Sequence, residues 1–207
     1  MATYVIAITG NKGAGKDTYA RLAAELIEEA GGFTYGLKFA SRLKNLTAKL
    51  CDVDISDLED VSKKEIYRPF LVEFGQLAKK HFGEAIWTHG VLSGLNKIAD
   101  DSMLRVAIVT DMRFQVEFDT LCDFQNSTDI EVFPVHIARI GCDDSETEPS
   151  EKCQQLAADN FIPTIHNEGD IDTFKIQVKK SLQLMGILPQ DPEDIISMDE
   201  FLTQLDS

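Results

Sequence analysis

The sequence predicts an α/β fold: three layers, helix–sheet–helix, around a five-stranded parallel sheet. Three observations carry this. Short apolar runs alternate with amphipathic segments along most of the chain. Two of the runs, Tyr4 to Ile8 and Leu104 to Thr110, are almost continuously apolar, as parallel strands covered on both faces are. A glycine-rich loop, Gly10-Asn-Lys-Gly-Ala-Gly-Lys-Asp-Thr18, joins the first run to the first amphipathic segment.

In chain order, Tyr4–Ile8 is the first strand. The first helix runs from Gly15 to Ala30 and stops at Gly31-Gly32. Phe33 to Phe39 is a second short strand. Ala40 to Leu50 has helical periodicity, and Asp52 to Glu59 is an acidic loop or short helix. Lys63 to Phe82 is strongly helical, with Pro69 in its first turn, and Gly83 breaks it. Ala85 to Ala99 reads as one further helix. The third strand, Leu104–Thr110, ends in Asp111-Met-Arg113, and a short helix follows from Phe114 to Leu121. Glu131 to Ile140 is the fourth strand. Gly141 to Ser150 is polar, and Glu151 to Asp159 is a short helix. Phe161 to His166 is the fifth strand, and Asp170 to Met185 the last main helix. Residues 1–188 form one domain, with a helical insertion over 40–100 and a short lid loop over 140–152. Residues 189–207 are an acidic tail.

Composition narrows the function. The chain has 207 residues, 43% of them hydrophobic, which suits a globular domain with its own core. The formal net charge of −15 argues against a nucleic-acid partner, because backbone binding needs a basic surface. No apolar run has the length of a membrane span, so no membrane partner is expected. The four cysteines lack metal-site spacing, and no secretory pattern opens the chain. Free thiols and a cytoplasmic location are the expectation.

The glycine loop fits G-x-x-x-x-G-K at Gly10, Gly15 and Lys16, between a strand and a helix, the context of a phosphate-binding P-loop. Backbone amides of Gly13, Ala14 and Gly15 would turn toward phosphate oxygens, and the helix dipole would add its positive end. Lys16 supplies a point charge. The usual hydroxyl residue after the lysine is Asp17 here, with Thr18 one later; a carboxylate there can hold Mg²⁺ directly or through water. A plain glycine turn is the bland alternative. Such a loop indicates nucleotide phosphate binding and does not by itself separate a kinase from a GTPase.

Ligands in open parallel sheets bind beyond the C-terminal strand ends. That rule gathers the remaining candidates, and phosphoryl transfer needs several cations to converge. Lys12, Arg42, Lys44, Arg68, Arg113 and Arg139 are the candidates beside Lys16. Asp111 closes an apolar strand as a metal-holding acid does, or caps the next helix. Arg113 meets a substrate phosphate, or pairs with Asp111. Arg139 is a lid arginine for the moving phosphoryl, or a solvated strand-end charge. Arg68 faces an anion at a helix start, either a monophosphate or Glu65. Phe39 and Trp87 stack on a base, or sit in the core. Asn167-Glu-Gly169 passes an adenine edge, or is a plain strand-to-helix turn.

In their order, the GKDT loop, Phe39-Ala-x-x-Leu-Lys44, Arg68-x-x-Leu-x-x-x-Gly75, Trp87, Thr110-Asp-x-Arg-Phe114, Ser150-Glu151 and Asn167-x-Gly169 resemble phage-type deoxynucleoside monophosphate kinases. The resemblance covers roughly the first 185 residues. It implies the P-loop nucleoside monophosphate kinase fold, and transfer of the γ-phosphoryl of ATP to a deoxynucleoside monophosphate with Mg²⁺. By that resemblance Lys16 holds the β/γ-phosphates, Asp17 lies beside metal and acceptor phosphate, and Thr18 lies near the α-phosphate. Arg68 and Arg113 approach the monophosphate, and Arg139 the moving phosphoryl. Lys12, Phe39, Lys44, Trp87 and Asp111 complete the substrate side, with Asp17 and Asp111 at the metal. A homodimer and a host-cell cytoplasmic setting are compatible with it. The sequence departs where the family often reads Phe-Ala-Asp-Pro-Leu-Lys, having Ser41-Arg42, and where it reads Arg-Phe-Pro-Asn-Glu, having Arg113-Phe-Gln-Val-Glu117. A P-loop kinase for another small acceptor, of phosphomevalonate or dephospho-coenzyme A type, is the alternative enzyme. A non-catalytic nucleotide-binding module is the alternative of another class.

Overall fold

The computed structural model describes residues 3–60, 62–98, 103–142 and 153–191. Among these residues five parallel strands form one sheet: β1 (Thr3–Thr9), β2 (Phe33–Leu37), β3 (Arg105–Val109), β4 (Glu131–Ala138) and β5 (Thr164–His166). Their order is β2-β3-β1-β4-β5, which puts the glycine loop's strand in the centre. β1 pairs with β3 at Val5–Ala107 and with β4 at Ile6–Phe133. Among the described residues seven helices accompany the sheet: α1 (Lys16–Glu29), α2 (Ala40–Cys51), α3 (Lys64–Phe82), α4 (His89–Ile98), α5 (Gln115–Ser127), α6 (Cys153–Asp159) and α7 (Ile171–Leu184).

Strand alternation sorts the core into two layers. Ile6 and Ile8 of β1 point to one face, where α1 (Tyr19, Leu22, Ile27) and α7 (Phe174, Val178, Leu182) cover them. Val5 and Ala7 point to the other, under α4 (Val91, Leu95), α5 (Leu121, Phe124) and α6 (Leu156). Each fully buried aliphatic side chain is worth about 1.5–3 kcal/mol over its exposed state. Tyr19, fully buried, satisfies its hydroxyl on Ser181 Oγ at 2.8 Å, and burial pushes its pKa up to about 12.

Several segments differ from the expectation. β2 ends at Leu37 because Phe39 turns into the start of α2. Pro69 lies inside α3, past its first turn, so the Glu65 carbonyl loses its helical donor. The expected helix from Ala85 is two pieces, a 3-10 turn (Glu84–Trp87) and then α4. α5 continues six residues beyond Leu121, to Ser127. β5 keeps only Thr164–His166 of the expected six residues. All four cysteines are free. Among the described residues no helix is long and apolar enough to cross a membrane. Most of the expected lid (143–152) and of the acidic tail (192–207) lies outside the described residues. The first tail residues are tied to α7: Lys179 Nζ donates to both Asp191 oxygens at 2.8 Å, and Gln183 Nε2 to the Pro189 carbonyl at 3.0 Å.

Candidate active site

The glycine loop has three positive-φ residues: Gly10 (146°), Gly13 (83°) and Gly15 (103°). Two of them are also forced by space. A Cβ on Gly10 would stand 2.4 Å from the Ile137 carbonyl oxygen on β4, and one on Gly15 2.3 Å from Asn167 Nδ2. Gly15 is the residue before α1, and no side chain caps that helix. The first amides of α1 therefore carry the positive end of its dipole without a side-chain acceptor, the arrangement that binds phosphate.

Lys16 opens α1 and folds back across the loop. Its ammonium donates to the carbonyl oxygens of Gly10 and, at 2.7 Å, Asn11. Asp17 is exposed and Thr18 half-buried in the same first turn; Lys12 is exposed on the loop. The loop is braced from neighbouring strands. Asn11 Nδ2 donates to the Cys142 carbonyl at 2.6 Å, and the buried Asn11 Oδ1 has no hydrogen-bond partner. Asn167 Nδ2 donates to the Ala14 carbonyl at 2.9 Å, while its own amide donates to the Ala138 carbonyl at 2.7 Å. So Asn167, expected along an adenine edge or in a plain turn, has its side chain behind the glycine loop. Gly169 (φ 84°) completes the turn, and Asp170 then caps α7 through the Thr173 amide at 2.8 Å.

The β3 end is stitched to the same place: the Met112 amide donates to the Ile8 carbonyl at 3.2 Å, just before the glycine loop. Asp111, one residue before Met112, reaches the start of α2. Its Oδ1 accepts from the Phe39 amide at 2.8 Å and its Oδ2 from the Ala40 amide at 3.0 Å, so it caps α2 rather than the helix after Arg113. Burial raises its pKa; the two amides and the nearby Arg113 and Lys38 charges oppose that rise. Each oxygen keeps a second lone pair for a water.

Glu117 is the residue that the sequence reading did not single out. It is 6% exposed, and its Oε2 accepts from the Arg113 amide at 2.7 Å and the Phe114 amide at 3.1 Å. This pins the loop that carries Arg113. Burial pushes its pKa up to about 7 despite those bonds; Asp111 adds to the rise and Lys79 opposes it. Lys79 Nζ sits 3.4 Å from the Phe114 ring centroid. The available signal was its place three residues after the helix-entry residue, where a glutamate reaches back to free amides.

Other expected residues are placed differently. Phe39 is 2% exposed and packs in the core between α4 and the sheet, so its ring is no base-stacking platform. Trp87 is 7% exposed, edge-on to Phe74 with its indole N–H on the Gly75 carbonyl at 3.2 Å; it too is core. Lys44 pairs with Glu59 at 3.0 Å, and Arg68 lies 3.7 Å from Glu65. Arg42 lines a cleft against α4. Arg139 is exposed just past β4, in a turn closed by the Cys142 amide on its carbonyl at 3.1 Å.

Among the described residues no three His, Cys, Asp or Glu side chains group to hold a metal ion. Mg²⁺ fits only in the manner usual for it, with one or two carboxylates, phosphate oxygens and waters. Exposed Asp17 in the first turn of α1 is a donor of that kind.

No protein-family model and no curated protein matches this chain. Solved structures similar in fold include Mycobacterium tuberculosis APS kinase in complex with AMPPNP and APS (13% identity, TM-score 0.48, covering 89% of this chain and 98% of that one). Shikimate kinase from Acinetobacter baumannii in complex with shikimate is another (14%, TM-score 0.40, 89% and 92%). A gluconokinase from Sinorhizobium meliloti is a third (12%, TM-score 0.39, 89% and 93%). Identities this low do not carry an activity across.

Proposed function

We propose that this chain is an ATP-dependent kinase whose acceptor is a deoxynucleoside monophosphate. The observation that supports the reading most is the glycine loop: positive-φ glycines, a lysine across its mouth and an uncapped helix start, at the end of the central strand. Lys16 would exchange the Gly10 and Asn11 carbonyls for β- and γ-phosphate oxygens, while the amides of Gly13 to Thr18 hold the rest of the chain of phosphates. Thr18 lies near the α-phosphate in this reading, and the Asn167–Gly169 turn near the base. Mg²⁺, when bound, neutralises charge on the phosphate oxygens; Asp17 would hold it, with Asp111 through water.

The acceptor enters between the helices α2–α4 and the β3 end, where Arg113 and Arg68 meet its phosphate and Lys12 and Lys44 add charge. An acceptor phosphate oxygen forms the new bond to the γ-phosphorus as the bond to the β–γ bridging oxygen breaks, and ADP leaves. Arg139 stabilises the moving phosphoryl, a role worth about 10³–10⁵ in rate elsewhere. Deoxynucleoside specificity rests on the motif order in the sequence. A coupled assay with ATP–Mg²⁺ and dAMP, dGMP, dCMP or dTMP tests it: ADP formation above the ATPase background is expected with at least one. Background rates with all four would end the deoxynucleotide reading and leave the other small-acceptor kinases.

A further inference from the structure

Between α2, the start of α4 and the edge strand β2 lies an open cleft of about 400 Å³. Its rim holds Lys38, Arg42 and Lys49, with Ser41 and Asn45 between them and no acidic residue. The whole chain carries 35 acidic and 20 basic residues, so an acid-free, three-cation rim runs against its composition. Among the described residues none of the three is in a salt bridge, whereas Lys44, on the same helix, is taken by Glu59. Lys38 acts on Glu59 and Asp111 at longer range.

The cleft is built by packing. Buried Thr47 and Ala48, with Leu43 against Gly75, define the inner face of α2. Ser41, Arg42, Asn45 and Lys49 recur at helical spacing along a neighbouring stripe that lines the cleft. α4 begins beside α2, with Gly90 close to Arg42, and Gly94 lets it approach β2, where a Cβ would lie 2.8 Å from Leu37 Cδ2. The positive end of the α4 dipole therefore adds to the same field. The volume falls within the roughly 300–1,000 Å³ of small-ligand sites. No aromatic side chain lines it, so what it can recognise is phosphate rather than a base.

We propose that this cleft is a second phosphate-recognising site, separate from the glycine loop, for a small phosphomonoester or diphosphate. None of its lining residues belongs to the Gly10–Thr18 loop, the Asp111–Arg113 segment or Arg139. The proposal stands whether or not the acceptor is a deoxynucleotide. The test is an amide chemical-shift titration of the full chain with its glycine loop saturated by AMPPNP–Mg²⁺. Inorganic pyrophosphate and ribose 5-phosphate are the two probes, separating a bare diphosphate from an organic phosphomonoester. Shifts are expected at Lys38–Lys49 and Gly90–Val91 with at least one probe. Arg42→Glu/Lys49→Glu should weaken that probe by about tenfold or more, with AMPPNP affinity unchanged; Arg42→Gln/Lys49→Gln gives a smaller loss in the same direction if the reversed pair fails to fold. Three results would overturn it: no shifts at these residues, equal probe affinity in the folded variants, or displacement of the probe by dAMP, which would make the cleft part of the acceptor site.

Discussion

At the scale of single residues, the glycine loop and its braces have a geometry that leaves little choice of side chain. Lys16 spans the loop it would lend to phosphate, and its removal takes away an ammonium held there by the main-chain carbonyls of Gly10 and Asn11. Lys16→Ala should leave the thermal midpoint near wild type and lower kcat by at least about 10²-fold; near-normal turnover would refute the role. Gly15 and Asn167 make a sharper pair. Gly15→Ala meets both a positive φ and the Asn167 amide, so it should cost about 1–3 kcal/mol by denaturant titration. Asn167→Ala removes the clash but not the backbone strain. A double-mutant cycle should therefore show partial rescue, and strict additivity would contradict the packing described.

Glu117 gives a pH signature. Its folded pKa, about 7, stands above the ordinary 4.5, so the folded state holds the proton more tightly than the unfolded one. Its contribution to stability is complete below about pH 4.5 and is lost as pH rises through about 7. The full swing is on the order of 3 kcal/mol. Unfolding free energies of wild type minus Glu117→Gln, measured across pH 4.5 to 8, should fall with pH. A difference that is flat or rises would show that the carboxyl is not held protonated.

At the scale of elements, the start of α2 is set by a distant strand end rather than by its own sequence. α2 has no side-chain cap of its own; Asp111, from the end of β3, supplies both acceptors. Asp111→Ala leaves two amides unpaired and should cost about 2–5 kcal/mol, with Asp111→Asn recovering part of it. A loss under 0.5 kcal/mol by chemical denaturation would mean that this joint is slack.

That long-range capping explains what the sequence could not display. Strand positions were legible because alternating apolar runs are local signals. Phe39 and Trp87 were ambiguous because an aromatic in an apolar segment fits core and base site alike; only the neighbours, Asp111 and Phe74, decide it. Pro69 lies past the first turn whether the helix begins at Lys63, as expected, or at Lys64, as observed, so the N-terminal tolerance for proline does not apply to it. The expected helix stops at Leu121, yet Phe124 packs into the core and α5 runs on to Ser127. The Asn167–Ala14 bond joins residues far apart in sequence, and no spacing rule predicts it.

At the scale of the whole molecule, a chain of net charge −15 has to concentrate cations where anions are to bind. The described residues place them on the β1, β3 and β4 ends and around α2, with acids such as Glu59 and Glu65 answering some of them. The sandwich behind the site is what holds those ends still. Phe174→Ala, at the join of α7 and α1, should lower stability by about 3–5 kcal/mol without changing which ligands bind; a thermal scan with and without AMPPNP checks both halves of that statement.

The most direct measurement is calorimetric titration of ATP–Mg²⁺ into the full chain and into Lys16→Ala. The account predicts one site per chain in the parent and at least about a tenfold weaker Kd in the variant. No heat in the parent, or the same Kd in both, would contradict the triphosphate cradle on which the rest depends.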